Sequence, residues 1–441
     1  MAIWRRDPRD REILRLALPA FGALAAEPLY VLADTAIVGH LGTRPLAGLA
    51  VAGTLLSVAF GIFNFLAYAT TAAVARRIGA GDRTRAAEQG IDSLWLALGL
   101  GLALMAVGLA VAPGVVRAMG ASARIRPDAL TYLRISLIGA PAVLIALAGT
   151  GYLRGCQDTR TPLVIQVAAN VGNLALELLL VFGLHLGIAG SAWGTVVAQF
   201  GAAAAYMTIV RRAARVEHAS LRPDRAGIRA AAIVGSHLVV RTGALLIAFT
   251  VSTSVATRIG DAPVAAHEIA FQIWTFLALS LDAIAIAGQA LVGRSLGAGD
   301  RVGPRAAARR MIEWGVMAGF VLGAVVALAS PLLAQMFTHD HKVRDDVLPI
   351  LLIVAAMQPI NGVVFVLDGV LIGAGETRYL ALAMLAATAT FVPAAIAVDA
   401  LGGGLVALWG ALTLFMVARL VGIGRRYLGD HWLVIGASRE I

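Results

Sequence analysis

The chain has 441 residues, of which 59% are hydrophobic and 14% are charged, and its mean hydropathy is +0.83. Soluble globular domains average about 45–50% apolar and about 25% charged residues, so this composition excludes a water-soluble protein and indicates a polytopic membrane protein. The net charge of +10 does not indicate a nucleic-acid partner, because the basic residues concentrate in alternate loops, as topology determinants do. The single cysteine, Cys156, excludes an intrachain disulfide.

Apolar runs long enough to cross a bilayer, about 20 residues each, recur along the whole chain. The N-terminus is basic and then apolar, as in a signal peptide, but the apolar run continues to Val38, and we therefore interpret it as the first span. The predicted spans are residues 13–39, 45–75, 86–112, 127–152, 162–182, 187–210, 229–257, 263–293, 304–333, 344–373, 379–399 and 403–424.

The distribution of Lys and Arg predicts the orientation of these spans. With the N-terminus in the cytoplasm, inner segments hold 27 of these residues and outer loops hold 7, which leaves Arg134 and Arg241 within spans. This asymmetry predicts that both termini lie inside, and the expected location is a bacterial cytoplasmic membrane. The charged segment 211–228 is then a cytoplasmic linker between an N-terminal lobe, 1–210, and a C-terminal lobe, 229–441.

Segments of the first half of the chain recur in the second half at one constant separation in sequence. We call this separation the repeat offset; it is the separation of Arg76 from Arg294, and residues related by it are said to stand opposite each other. This offset pairs RRIGAGDR (76–83) with RSLGAGDR (294–301), GCQDTR (155–160) with GAGETR (373–378), and two prolines of one half with Pro331 and Pro359 of the other. Six spans per half is an even number, so the halves enter the membrane in the same direction, and repeats of this kind are typical of transporters whose substrate path lies between the halves. The predicted fold is all-α, with twelve transmembrane helices in two six-helix lobes related by a pseudo-two-fold axis.

Several motifs together resemble the multidrug and toxic compound extrusion (MATE) family. They are LADTAIVGHLG (32–42) in span 1, the GAGDR and GCQDTR loops, and NVGNLALELLLVFGLHLGIAGSAWGT (170–195) in spans 5 and 6. The acid-Pro pair in span 1, together with Arg241 and Asp282, is similar to the DinF-like branch. The resemblance covers essentially the whole chain and implies a transporter rather than an enzyme. The chain departs from the family pattern at Glu177, where Asp is usual.

Two intramembrane acids, Asp34 and Glu177, are the strongest candidates for ion coupling. A charged side chain in the bilayer costs about 2.5–3.5 kcal/mol on insertion scales, so each is a functional candidate. Helical rise places both at nearly the same depth in the outer half of the membrane. Asn170 and Asn173 share the face of span 5 that carries Glu177. Two neighbouring carboxylates in an apolar site cannot both ionise at low cost, so we expect a proton on one of them.

The repeat assigns this ion-coupling site to the N-terminal lobe. At the repeat offset, Ser252 stands opposite Asp34 and Ala395 stands opposite Glu177. The architecture is therefore doubled, whereas the acids are not.

The residues before Asp34 on span 1 are candidates for the substrate cavity or for gating. Pro28 removes one backbone hydrogen bond and clashes with the carbonyl of Leu24, so it is either a hinge that responds to protonation or a static kink. Glu27 either lines the cavity or binds polar groups that the kink releases. Tyr30 belongs to the same candidate set.

A second polar group is predicted in spans 7 and 8. Arg241 and Asp282 lie at matched depth on consecutive spans, and they form either a structural ion pair or a coupling element. The repeat partner of Asp282 is Asn64, which favours a position on the cavity wall in both lobes. Tyr68 and Gln289, one and two turns away, join this set.

These residues predict a cation-coupled antiporter that exports organic compounds or drugs by alternating access, as a monomer in the lipid bilayer. A proton is favoured as the coupling ion and sodium stays open, with no metal or organic cofactor expected. A lipid-linked precursor flippase is the alternative in the same superfamily, but it should need more intramembrane Arg or Lys. An intramembrane enzyme would need a nucleophile with a base, and none is evident.

Overall fold

The computed structural model describes residues 7–437, and it contains no strand within that range. Packing divides the chain into two compact units. The N-unit comprises residues 22–235, and the C-unit comprises residues 7–21 together with 236–437.

The N-unit is built from most of the first helix, the seven helices that follow it, and the start of the ninth. Their bounds are α1 (Pro8–Gly39), α2 (Thr43–Ile62), α3 (Phe65–Gly79), α4 (Arg83–Ala118), α5 (Arg126–Ile138), α6 (Ala140–Gly155), α7 (Arg160–Leu178), α8 (Gly187–Val216) and α9 (Arg225–Ile259). A π-helical turn, Leu179–Gly183, extends α7.

The C-unit contains the rest of α9 and five further helices, together with the first part of α1. The five helices are α10 (Asp261–Gly297), α11 (Gly303–Phe337), α12 (His341–Gly373), α13 (Thr377–Ala400) and α14 (Leu405–Leu428).

The length and hydropathy of these helices confirm a multi-pass membrane protein of twelve spans. Within residues 7–437, eleven helical segments are long and apolar enough to cross a bilayer, and the pair α5 and α6, bent by 48°, makes the twelfth. The second span is α2 with α3, and its helix is interrupted at Phe63 and Asn64. An all-helical chain satisfies its backbone hydrogen bonds internally, as lipid requires.

The duplicated loops between spans use the same local chemistry in both halves. Asp82, Asp158 and Asp300 each accept backbone N–H groups at the start of the following helix, as N-caps do. The preceding turns have positive φ, and the repeat pairs Gln157 at 63° with Gly375 at 76°. The left-handed conformation is therefore retained even where the glycine that favours it has been replaced.

Close helix contacts at glycine recur at the repeat offset. Three glycines of the N-unit face the backbone or Pro ring of a neighbouring helix, and three glycines of the C-unit repeat the contact. The pairs are Gly101 with Pro141, Gly151 with Ala67 and Gly155 with Thr71, then Gly319 with Pro359, Gly369 with Ala285 and Gly373 with Gln289. Small residues let transmembrane helices approach closely, so the sequence repeat is a repeat of helix packing.

The unit boundaries fall inside two helices rather than in a loop. The first part of α1, up to Phe21, packs with the C-unit, and the first part of α9, up to Gly235, packs with the N-unit. The non-helical connection between α8 and α9 is residues 217–224. Each unit therefore receives the start of one helix from the other half of the chain.

We predict that Gly151→Leu destabilises the protein, because a β-carbon at this position would already lie 2.6 Å from the carbonyl oxygen of Ala67. Overpacking costs about 1–3 kcal/mol in adaptable cores, and backbone atoms adapt less than side chains do. The measurement is the thermal midpoint of the purified protein in detergent. The matched control is Gly99→Leu, since no atom lies within 4 Å of that site. Equal midpoints for the two variants would contradict the packing argument.

Candidate functional site

Asp34 is buried in the N-unit and is held by a serine of another helix. Its side chain is on α1, only 5% of the residue is exposed, and the Ser191 hydroxyl on α8 donates a hydrogen bond of 2.8 Å to its Oδ1. Ser191 is itself fully buried. The sequence analysis did not select Ser191, although its polar hydroxyl lies in the motif that predicted spans 5 and 6.

Glu177, on α7, is fully buried next to this pair. Its backbone faces α8 closely, because a β-carbon on Gly194 would lie 3.3 Å from the Glu177 nitrogen. The carboxylate of Glu177 lies close enough to Asp34 and to Ser191 to interact with both, but the Ser191 hydroxyl donates its hydrogen to Asp34. Within residues 7–437, neither carboxylate oxygen of Glu177 has a hydrogen-bond partner. A buried carboxylate without a donor is costly in its charged form.

An amide and two hydroxyls form a network one to two turns from the acids. The Asn173 amide donates to the Tyr30 hydroxyl at 2.7 Å and to the Thr195 hydroxyl at 3.2 Å. Tyr30 and Thr195 are 3.1 Å apart, with either hydroxyl able to donate. Within the described chain, Asn173 Oδ1 is buried without a donor. The network joins α1, α7 and α8, and Thr195 was a further residue that the sequence analysis missed.

Glu27 and Asn170 meet through a glutamine that the sequence analysis also missed. The Gln166 amide donates to Glu27 Oε2 and to Asn170 Oδ1, each at 3.1 Å. The Asn170 amide donates to the carbonyl oxygen of Ala26 at 3.0 Å. Helix α1 continues through Pro28, so α7 supplies polar side chains to α1 at the turn where proline removes a backbone donor.

The remaining candidates occupy different environments. Asn64 is exposed at the break between α2 and α3, Tyr68 is partly buried on α3, and Gln289 is buried where α10 crosses α12. Asp282 is partly buried on α10. Their role in a cavity stays a prediction.

Arg241 belongs to a buried cluster of three charged side chains in the C-unit. Arg241 on α9 and Arg419 on α14 each donate to Asp368 Oδ2 on α12, both at 2.6 Å. Arg419 also donates to the Met416 sulfur at 3.4 Å, and its guanidinium lies 5.8 Å from the centre of the Phe415 ring. Charge-assisted hydrogen bonds of this kind are strong, and the cluster links three helices.

The cluster corrects the count of basic residues within spans. Only Arg134 and Arg241 were counted within spans, and Arg419, near the inner end of predicted span 403–424, was grouped with the inner segments. In the structure Arg419 is 3% exposed inside α14. Because Arg419 and Asp368 lie in the inner turns of their predicted spans, charge and position alone favoured a solvated helix end. The structure pairs Arg241 with Asp368. The predicted pairing of Arg241 with Asp282 stays a prediction.

The repeat positions of the acidic site hold no acid in the C-unit. Phe391 stands opposite Asn173 and packs against Phe415 with ring centres 5.7 Å apart, and buried Ser252 stands opposite Asp34. A small apolar cavity lies nearby, lined by Phe249, Phe271, Trp274, Met357, Trp409, Leu412, Phe415 and Met416. The two units therefore have a common scaffold with different chemistry.

Comparisons with known proteins agree with this architecture. A model of the MatE family matches residues 19–179 and 241–396. Protein DETOXIFICATION 44, chloroplastic, of Arabidopsis thaliana is 34% identical over 97% of this chain and 84% of the relative. DNA damage-inducible protein F of Escherichia coli (strain K12) is 30% identical over 96% of this chain and 93% of the relative.

A solved structure shows the same fold. A MOP superfamily transporter from Pyrococcus furiosus superposes with a TM-score of 0.87, covering 97% of this chain and 98% of that chain. Its sequence is 24% identical, so this likeness concerns the fold alone.

Twelve apolar helices in two repeated sets, with Asp34 and Glu177 buried in one set and no acid at the related positions of the other, define a membrane transporter rather than an enzyme. The family match covers most of the chain, and the chain belongs to the MatE family of multidrug and toxin efflux transporters. The predicted family resemblance is therefore confirmed, including its similarity to DNA damage-inducible protein F.

We predict that Asp368→Asn lowers the free energy of unfolding by about 3–5 kcal/mol, because two buried guanidinium groups lose the carboxylate that they share. The matched control is Asp399→Asn, which removes an exposed pair with Arg258 and should cost about 0–1 kcal/mol. Thermal midpoints in detergent check both values. Similar small shifts in the two variants would show that the cluster is not a structural element.

Proposed function

We propose that the chain is a proton-coupled antiporter that exports organic compounds from a bacterial cytoplasm by alternating access. Asp34 and Glu177 carry the coupling proton, and the termini lie in the cytoplasm. The transported substrate is a small organic molecule, and the protein works as a monomer. These assignments go beyond membership of the MatE family, which indicates only that the chain exports drugs or toxins.

The observation that carries the proposal is the state of Glu177. Its carboxylate is fully buried beside Asp34 and has no hydrogen-bond donor within the described residues. An ionised group in this position would lose its hydration without replacement, whereas a protonated one is neutral and can donate a hydrogen bond. Loading and release of one proton therefore change the local charge strongly.

The surrounding hydrogen bonds link that charge change to the contacts between α1, α7 and α8. When Asp34 is ionised, Ser191 donates to it from α8, and the hydroxyl network at Tyr30 continues the contact between α1, α7 and α8. When Asp34 is protonated, its oxygen accepts more weakly, because charge-assisted hydrogen bonds are about twice as strong as neutral ones. We infer that proton binding loosens α1 from α8 and so biases the N-unit between two arrangements.

Sodium is the alternative coupling ion. Hard cations need several oxygen ligands, and the buried Asn173 Oδ1 without a donor would add an amide oxygen to the two carboxylates. A lipid-linked precursor flippase is less favoured, because Arg241 and Arg419 are both bonded to Asp368. Their charge is partly used within the C-unit and is not free to bind a phosphate headgroup.

We predict that Asp34→Asn and Glu177→Gln each lower proton-driven efflux by at least about tenfold, because neither amide can bind and release a proton at neutral pH. Efflux of ethidium and of fluorescein from proteoliposomes is measured with an imposed pH gradient and, separately, with a sodium gradient. The matched control is Glu268→Gln, which removes an exposed acid of α10 outside the site. Efflux that follows the sodium gradient alone would overturn the proton assignment.

We also predict that Pro28→Ala lowers efflux while Pro19→Ala does not, although both prolines lie in α1. If bending at Pro28 responds to protonation of Asp34, restoring a backbone donor there stiffens the helix near the acid. The rate of efflux at fixed pH gradient measures the effect. Unchanged efflux in Pro28→Ala would leave Pro28 as a static kink.

A further inference from the structure

The start of α1 is attached to the C-unit by a polar clamp, which we name the α1 clamp and define as Asp10, Arg310 and Trp314. Arg310 on α11 donates to both carboxylate oxygens of Asp10, at 2.6 and 2.8 Å. The indole N–H of Trp314 donates to Asp10 Oδ1 at 2.8 Å. The side chains of Arg310 and Asp10 are only 11% and 19% exposed.

The α1 clamp is more than an isolated surface ion pair. Glu313 accepts from Arg310 Nη1 at 2.6 Å, which fixes the guanidinium from the second side. Bidentate, partly buried Arg–carboxylate pairs with low mobility are the ion pairs that contribute measurably. The start of α1 is therefore firmly held on α11.

The N-unit holds the start of α9 in a corresponding way, through an α9 clamp of Asp92, Trp95, Leu221 and Asp224. The backbone N–H of Asp224 donates to Asp92 Oδ1 on α4 at 2.9 Å. The indole N–H of Trp95 on α4 donates to the carbonyl oxygen of Leu221 at 3.2 Å. Asp92 is 4% exposed. Asp224 also accepts the N–H groups of the first turn of α9.

The two clamps occupy related positions of the sequence repeat. Asp92 and Arg310 stand opposite each other at the repeat offset, and Trp95 and Trp314 lie within one residue of that register. The carboxylate of Asp92 is replaced at the related position by the guanidinium of Arg310. The group that it binds changes accordingly, from the backbone N–H of Asp224 to the carboxylate of Asp10. Both halves thus keep the attachment of a crossing helix while the contact chemistry differs.

We propose that Asp10, Arg310 and Trp314 are positioning residues for transport, and that the α1 clamp stays closed throughout the cycle. This inference rests on the proposed function. Helix α1 is continuous from the clamp to Asp34. With one end fixed on α11, a displacement of α1 at Asp34 strains or bends the helix instead of sliding it. The α9 clamp fixes the other crossing helix in the same way.

The consequence is that the α1 clamp sets the rate of the conformational step and not the affinity for substrate. The clamp residues lie at the opposite end of α1 from the acids, and they take no part in the hydrogen bonds around Asp34 and Glu177. If the clamp is loosened, the proton-driven displacement moves the free start of α1 instead of bending the helix. We expect a lower maximal rate with an unchanged half-saturating concentration.

The first experiment measures proteoliposome efflux of ethidium and fluorescein over a range of internal concentrations. Asp10→Asn and Arg310→Gln should each lower the maximal rate about tenfold, as expected for loss of a charge-assisted contact, with half-saturation unchanged. Arg310→Lys, which keeps the positive charge between Asp10 and Glu313, should retain a substantial part of the rate. The matched control is Arg11→Gln, since Arg11 is an exposed arginine beside Asp10 on the same helix. Its rate should equal that of the natural protein.

The second experiment tests whether the clamp stays closed. Asp10→Cys with Arg310→Cys is joined by a short bifunctional thiol reagent, after which efflux is measured. Burial raises the pKa of the native Cys156 thiol to about 11, so this thiol reacts slowly at neutral pH. Linked protein should transport at least as fast as the unlinked double variant.

The outcomes separate this inference from the proposed function. The positioning role would be overturned if Asp10→Asn had the same maximal rate as the unsubstituted protein. It would also be overturned by a rise in half-saturating concentration without a fall in maximal rate. Loss of efflux on cross-linking would show that the clamp opens in each cycle. Failure of the natural protein to respond to a pH gradient would instead overturn the proton-coupled function. A cooperative thermal transition with a midpoint above the assay temperature, as in Arg11→Gln, shows that a slow variant is folded.

Discussion

The close approach of helices at glycine is the contact on which the rest of this structure depends. In lipid, the hydrophobic effect gives little drive for helix association, so close packing must supply it. The contacts of Gly151 with Ala67 and of Gly369 with Ala285 bring backbones together where any side chain would separate them. They fix the helices of both units in the same way. The polar residues of each unit then act at positions that this packing has already determined.

One scaffold carries two different interiors. In the N-unit, Asp34 and Glu177 are buried with few donors, whereas the related positions of the C-unit hold Ser252 and Ala395. The C-unit instead buries charges at other positions, where Arg241 and Arg419 both bind Asp368. The acids that we propose to change protonation are poorly satisfied, whereas the carboxylate that joins three helices of the C-unit is well satisfied. This contrast is what the proposed coupling role of the first site requires.

Much of the fold and part of the site follow from the sequence alone. Apolar runs, loop charges and the repeat offset predicted the spans, and the cost of burying acids singled out Asp34 and Glu177. Ser191 and Thr195 were missed, because an isolated hydroxyl in an apolar span can always bond its own helix backbone. Asp368 and Arg419 were missed because they lie in the inner turns of their spans. The exchange of helix starts between units leaves no trace in hydropathy, since it depends on which helix packs against which.

That exchange has a consequence for how the protein is made. Asp10 leaves the ribosome well before its partner Arg310, which lies 300 residues later in the chain. At about 5–20 residues per second of synthesis, the interval is on the order of 15–60 s. During this time the start of the first helix has no native binding surface. The N-terminal half likewise cannot complete its own packing before α9 has been inserted. Neither half of this duplicated transporter is therefore a self-sufficient unit of biogenesis, although each has the full set of six spans.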